Sequence, residues 1–338
     1  MVRLKYSLTK PFISADEGDA VSRVLRSGWL AEGDATLLFE RRVAETVEAR
    51  YAVAVCNCTV ALELCLKAYE IKGEVAIPDF THPATAQAVL NAHCKPVLND
   101  VSLETFNITG ADTQTSIPVS WGGNPVTEYP RTFIIEDAAC SIGSSYQRIK
   151  TGSKFTTCFS FHPRKLVTCG EGAVVTTESI TVADRLRELK SFGRGGGNYK
   201  LNDIASAIGF IQMDKLEAVI DRRRAMAQIY MELLANVKQV TPPTWIPEAR
   251  QTFQSYAVLL KDGNRERIIA KLRQKGIETQ KGAFALHLLP AYRRLKRRGK
   301  LPNSTVLHWH MLCLPMAYDI TEEGQKTVVA ELKHELAR

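Results

Sequence analysis

Short apolar runs rich in β-branched residues recur through the first half of the chain. They lie at Tyr51–Cys56, Glu74–Pro78, Pro96–Leu98, Ser116–Trp121, Thr132–Ile135, Thr157–Phe161 and Gly172–Thr176. Between the early runs stand two stretches with helical spacing, Thr59–Tyr69 and Pro83–Ala92. Strands alternating with helices predict an α/β fold around a mostly parallel, doubly wound sheet. The near-continuous apolar character of the strands suits burial on both faces. After about residue 202 the pattern changes. Asp203 to Val237 reads as one long helix, with Met226, Ile229, Tyr230, Leu233, Leu234 and Val237 on a single stripe. A breaker cluster from Thr241 to Pro247 follows, then a strand at Ser255–Leu260 and helices at Arg265–Lys275 and Thr321–Leu336. Two domains are expected: a large one over 1–220 and a smaller α+β one over 221–338.

Composition narrows the class. The chain has 338 residues, 45% of them hydrophobic, enough for a large core and too apolar for intrinsic disorder. It holds no run of apolar residues long enough to span a bilayer, and its first residues lack the apolar stretch of a secretory signal. A cytoplasmic protein is the expectation. The net charge of +8 is concentrated in Arg222–Arg224 and in the cluster from Arg293 to Lys300. Such runs are either solvated faces or attractors for an anion, a nucleotide diphosphate or a nucleic acid. None of the eight cysteines forms a CxxC pair, so reduced thiols are expected and a structural metal site is not.

Ligands of open α/β sheets sit at the carboxyl ends of the strands, against helix N-termini. Three segments fall there. Cys56-Asn57-Cys58-Thr59 joins a strand to a helix, and either caps that helix or offers free N–H groups, the Asn57 amide and the Thr59 hydroxyl to a phosphate. Ile134-Ile135-Glu136-Asp137 delivers a carboxylate to a strand end, to cap a helix, to pair with a cationic ring nitrogen or to bind a metal. Ser160-Phe161-His162-Pro163-Arg164-Lys165 places a lysine on a tight turn, as a surface charge or as the amine of a Schiff base.

Taken together, these segments resemble the DegT/StrS sugar aminotransferase family, pyridoxal-phosphate (PLP) enzymes of the fold type I class. The resemblance runs through Ser27-Gly28-Trp29-Leu30 with Gly33, Phe39-Glu40, Asn57-Cys58-Thr59, Pro78 to Ala86, Glu136-Asp137-Ala138-Ala139, Ser160 to Lys165 and Gly170-Glu171-Gly172. It resumes at Gly197 to Asn202, Ala207-Ile208-Gly209, Gln212, Gly276-Ile277, His287, Pro290-Ala291-Tyr292 and Leu314-Pro315-Met316. It implies a large PLP-binding domain with a mostly parallel central sheet and a smaller C-terminal domain. By this resemblance Lys165 forms the internal aldimine and shuttles the proton, and Asp137 pairs with the ring nitrogen so that the ring acts as an electron sink. Asn57, Cys58, Thr59 and Ser160 cradle the phosphate. Asn198 reaches the phosphate of a neighbouring subunit in a homodimer with a shared active site.

The implied reaction moves an amino group from an amino acid, glutamate being the expected donor, through pyridoxamine phosphate to a nucleotide-linked keto sugar, a step of amino-sugar biosynthesis. Relatives that dehydrate sugars carry His where this chain has Lys165, which favours transamination. The departures are local. Cys58 replaces a glycine, His82 stands where an aromatic ring stacks on the cofactor, and Cys140 replaces the Gln or His beside the ring oxygen. Lys200 replaces an arginine and loses its fork; Gly282-Ala283 replace a His-Tyr pair near the substrate. These keep a non-sugar carbonyl acceptor in view. A non-catalytic protein using the Arg293–Lys300 cluster on nucleic acid is the more distant reading, since that cluster lacks interleaved aromatic residues. The glycine-rich segment from Gly193 to Gly197 follows no convincing strand, so it is read as a flexible loop and not as a dinucleotide fingerprint.

Overall fold

The computed structural model describes residues 4–192, 196–261 and 264–337. An eight-stranded sheet forms its centre, in the spatial order Tyr51–Val55, Ala173–Thr177, Thr156–Ser160, Phe133–Asp137, Thr115–Ser116, Glu74–Pro78, Lys95–Asn99 and Lys296–Arg297. Ala173–Thr177 runs antiparallel to both its neighbours, and the other pairings are parallel. The predicted Ser116–Trp121 strand is a correction: only Thr115–Ser116 pairs as a strand. Pro118 has no N–H to donate to a ladder, and beyond it the chain keeps only the bridge Val119 to Asp137.

Helices cover both faces. Cys58–Ala68, Pro83–Asn91 and Ile180–Leu189 pack on one, burying Leu62, Leu66, Val89 and Leu186 against Val53, Ile77 and Ile135. Asp34–Val47 and Asp203–Asp214 pack on the other, where Phe39 and Val43 meet Phe159 and Phe161. The sequence around Gly33 explains how Asp34–Val47 begins. The buried Asp203 carboxylate accepts from Gly33 N at 2.8 Å, Thr36 N at 3.0 Å and Thr36 Oγ1 at 2.7 Å, capping the helix from a distant segment. A Cβ on Gly33 would lie 2.5 Å from the Trp29 ring nitrogen and 2.9 Å from the Asp203 carboxylate, so a larger residue would have to displace them.

The predicted long helix is two helices, Asp203–Asp214 and Leu216–Leu234, meeting at Lys215. Buried residues of the second divide along its length. Leu216, Val219 and Ile220 join the cluster on the sheet, whereas Met226, Tyr230 and Leu234 join another with Tyr256, Val258, Leu272 and Val328. That second cluster covers a three-stranded antiparallel sheet of Val240–Thr241, Tyr256–Leu260 and Met311–Leu314. The amino-terminal segment runs alongside this part of the chain, with Lys5 N and Tyr6 N donating to Gly276 O and Met316 N donating to Leu8 O. No helix among the described residues is long and apolar enough to cross a membrane.

Candidate active site

Three parallel strands of the central sheet end on the same side of it, two of them neighbours and the third beyond the antiparallel Ala173–Thr177. Phe133–Asp137 delivers Asp137, Thr156–Ser160 leads into the His162–Lys165 turn, and Tyr51–Val55 leads into the start of the Cys58–Ala68 helix. Asp137 is 5% exposed. Its Oδ2 accepts from Thr85 Oγ1 at 2.8 Å and its Oδ1 from Ala139 N at 3.2 Å. Burial pushes this carboxyl above its ordinary value, against the pull of those two donors and of Lys165. Such a group gains from a cation in contact, which restores the charge compensation that water no longer supplies.

Lys165 rides a turn built from its own neighbours and held by distant ones. Lys165 N donates to His162 O at 2.9 Å, and Arg164 N to the His162 ring at 3.1 Å. Gln254 Nε2 donates to Arg164 O at 2.8 Å, and the Arg164 guanidinium donates to Gln280 Oε1 at 2.9 Å. The ammonium itself donates to Cys140 Sγ at 3.1 Å. Burial acts to lower the Lys165 pKa; the Cys140 thiol, the Cys58 thiol and the Asp137 carboxylate outweigh it and hold the amine above its ordinary value. Burial, reinforced by Asp137, raises the Cys58 thiol far above the ordinary range, so it is a neutral group at pH 7.

Asn57 caps the Cys58–Ala68 helix, its Oδ1 accepting from Val60 N at 3.0 Å. The helical ladder begins with Ala61 N donating to Asn57 O, so the N–H groups of Cys58 and Thr59 precede the first intrahelical bond. Ser160 is 8% exposed, with its hydroxyl beside His162 N at 3.4 Å. His82 caps the helix Pro83–Asn91 through Nδ1, which accepts from Ala84 N at 3.2 Å. Burial and then Lys165 lower its pKa. The sequence thus brings Asn57, Cys58, Thr59, His82, Asp137, Cys140, Ser160 and Lys165 to the carboxyl ends of neighbouring strands. Asn198 is exposed, and the carbonyl of the next residue, Tyr199 O, accepts from Cys56 N at 2.8 Å, beside Asn57. Lys200 is exposed. Gly193, Arg194 and Gly195 of the expected flexible loop lie outside the described residues. All eight cysteines are free thiols, Cys65 and Cys158 lying 3.6 Å apart.

Sequence reasoning assigned no task to Thr85, Gln254 or Gln280. Thr85 had a local signal: it sits in the first turn of the helix that His82 caps, facing the sheet end. The two glutamines are separated from Arg164 by 90 and 116 positions, and nothing in their local sequence marks them. At Gly282, a Cβ would lie 2.2 Å from Met311 Sδ and 2.6 Å from the Trp121 ring. Trp121 and Met311 therefore occupy the space that a larger residue there would need.

This architecture, with a lysine turn and a buried aspartate at the carboxyl end of its sheet, is that of a fold type I, PLP-dependent aminotransferase. The chain belongs to the DegT/DnrJ/EryC1/StrS aminotransferase family, whose model matches residues 11–119 and 127–333. It is 29% identical over 369 aligned residues to an uncharacterized protein of Methanocaldococcus jannaschii, covering 96% of each chain. Among solved structures it is similar to a DegT DnrJ EryC1 StrS aminotransferase from Brucella abortus, with 27% identity, a TM-score of 0.87 and 96% of each chain covered. It is also similar to DesI, solved in the presence of its TDP-sugar product, with 27% identity, a TM-score of 0.90, and 100% of this chain and 94% of that one covered.

Proposed function

We propose that this aminotransferase moves an amino group from an amino acid, with glutamate as donor, to a keto sugar carried on a nucleotide, and that Lys165 is the residue that binds the cofactor covalently. The observation that carries the reading is the meeting of Lys165, Asp137 and Cys58 at one sheet end, each biasing the ionisation of another. The residues fit PLP. Asp137 is a buried carboxyl in want of a cation, the first-turn N–H groups of Cys58 and Thr59 are open to a phosphate, and the Lys165 amine has one hydrogen-bond partner among the described residues, the Cys140 sulfur. Asn57, Cys58, Thr59 and Ser160 would hold the phosphate, His82 the ring face and Cys140 the ring oxygen. Bound PLP supplies the electron sink for charge developing at the donor's α-carbon. Asp137 would hold the ring nitrogen protonated, and Lys165 Nζ would take up and return the α-carbon proton.

The similarity to DesI supports the nucleotide-linked sugar as acceptor. Residues 1–220 would carry the cofactor and 221–338 would form the smaller domain, with the chain working in the cytoplasm. A homodimer is supported by the exposed apolar side chains of Leu25, Trp29, Leu30, Leu37 and Leu38, which cluster in the amino-terminal helical region. Asn198 lies near its edge: Tyr199 N donates to Lys190 O, and the Lys190 ammonium reaches Glu32. From there it would reach a partner's phosphate. A non-sugar carbonyl acceptor has one observation in its favour, the filling of the space beside Gly282 by Trp121 and Met311.

The test is the visible absorption of the protein with PLP, before and after glutamate. A cofactor band that bleaches to the pyridoxamine form is expected, followed by return of the band with nucleotide-linked keto sugars and not with keto acids other than 2-oxoglutarate, which reverses the donor half-reaction. Recovery with those other keto acids alone would transfer support to the second acceptor class, and an unresponsive band would remove glutamate as donor.

A further inference from the structure

Cysteines crowd the sheet end that carries Lys165. Cys140 is half-buried and its Sγ lies 3.1 Å from Lys165 Nζ, while Cys58 and Asp137 stand close enough to bias the same amine. We propose that Cys140 and Lys165 together form an oxidation site, in which a peroxide links the two side chains through a sulfur–nitrogen bond and closes the enzyme to its cofactor. The consequence for the cofactor rests on the assignment of Lys165 above; the link itself does not.

The chemistry balances in two steps. Hydrogen peroxide transfers one oxygen to the Cys140 sulfur, giving the sulfenic acid and water; sulfur is oxidised by two electrons and the peroxide is reduced. The lone pair of the neutral Lys165 amine then attacks that sulfur. The S–O bond breaks, the hydroxyl leaves with the amine proton as a second water, and a sulfenamide remains. A thiol reverses the change by attacking sulfur and releasing the amine.

Two features direct the second step to Lys165. Cys140 Sγ lies 3.1 Å from Lys165 Nζ before any oxidation, so the sulfur that becomes electrophilic is already in contact with the amine that attacks it. The burial of Lys165 favours the neutral amine, the form that carries the lone pair. The competing nucleophile is Cys58. Burial and the Asp137 carboxylate keep its thiol protonated, and a protonated thiol attacks slowly.

The experiment treats the full chain, without added PLP and loaded with it, with hydrogen peroxide, followed by intact mass and peptide mapping. The expected result is a loss of two hydrogens, a mapped Cys140–Lys165 link, no PLP uptake, and recovery of the visible band after dithiothreitol. Loaded protein should resist, because its lysine is engaged. Cys140→Ser should form no link, and its PLP uptake, whatever its level, should be the same before and after peroxide. Lys165→Met should instead accumulate oxidised Cys140. A Cys58–Cys140 disulfide, lost in Cys58→Ser, or sulfinic acid at Cys140 without a link would overturn the proposal. A mapped link with PLP uptake intact would leave the link standing and remove Lys165 as the cofactor lysine.

Discussion

Lys165 is partly buried and Lys190 fully, and their partners could hardly differ more. Lys190, whose side chain is 4% exposed, reaches Glu32 Oε1 at 2.6 Å, Ala54 O at 3.1 Å and Glu40 Oε1 at 3.4 Å. Every direction its ammonium can donate is taken by oxygen. Lys165 has one hydrogen-bond partner among the described residues, the sulfur of Cys140. The difference separates a structural cation from a chemical one. An ammonium saturated by carboxylates and a carbonyl holds segments together. An amine whose one partner is a soft, weak acceptor loses little when it turns to attack a carbonyl.

Removing each lysine should therefore fail in a different way. Lys165→Ala should lose the cofactor band and lower turnover by roughly 10⁴-fold, the upper end for a proton-transferring group, with little change in the unfolding midpoint. Absorbance, turnover and a denaturant titration on the same sample check this, and normal turnover would erase the contrast between the two lysines. Lys190→Met should do the reverse. It leaves Glu40 buried without its chief opposing charge, at a cost of about 3 kcal/mol, while PLP still binds.

That second loss should depend on pH, and its sign can be worked out. Burial raises the Glu40 carboxyl above its ordinary value, and Lys190 is the strongest influence holding it down. Without Lys190 the folded state binds this proton more readily than the unfolded chain does, so stability falls as pH rises above the ordinary carboxylate value. The deficit of Lys190→Met should be larger near pH 8 than near pH 5, and denaturant midpoints at both would show it. The smallest effect belongs to a cap beside the chemical lysine. His82→Ala should cost about 1 kcal/mol through loss of the bond to Ala84 N. If His82 also lies on the ring, the cofactor band should shift as well; a stability change alone would reduce His82 to its cap.

Much of the site could be read before any coordinates, because its residues sit at strand ends, where the change of hydrophobic period marks a boundary. Tyr51–Val55, Phe133–Asp137 and Thr156–Ser160 lie within a residue or two of their predicted ranges, and Asp137 ends its strand as the pattern requires. The first helix was harder. Ala15–Ser27 carries a local signature in its Ser14–Glu17 capping box, yet it is polar overall and buries only Glu17 and Ala20, so it does not read as a core helix. The break at Lys215 also escaped a pattern that continues on both sides of it.

Chain order alone determined the alternation of strands and helices, the strand-end positions of Asn57, Asp137 and Ser160, and the presence of a lysine on the following turn. These are local matters of period, capping and turn chemistry. What the lysine touches was decided by the tertiary structure. Cys140 lies 25 positions from Lys165, Thr85 lies 52 from Asp137, and Lys190 lies 150 from Glu40. Such contacts arise where separate strands end side by side in the sheet and helices pack across it, and no local sequence window contains both partners.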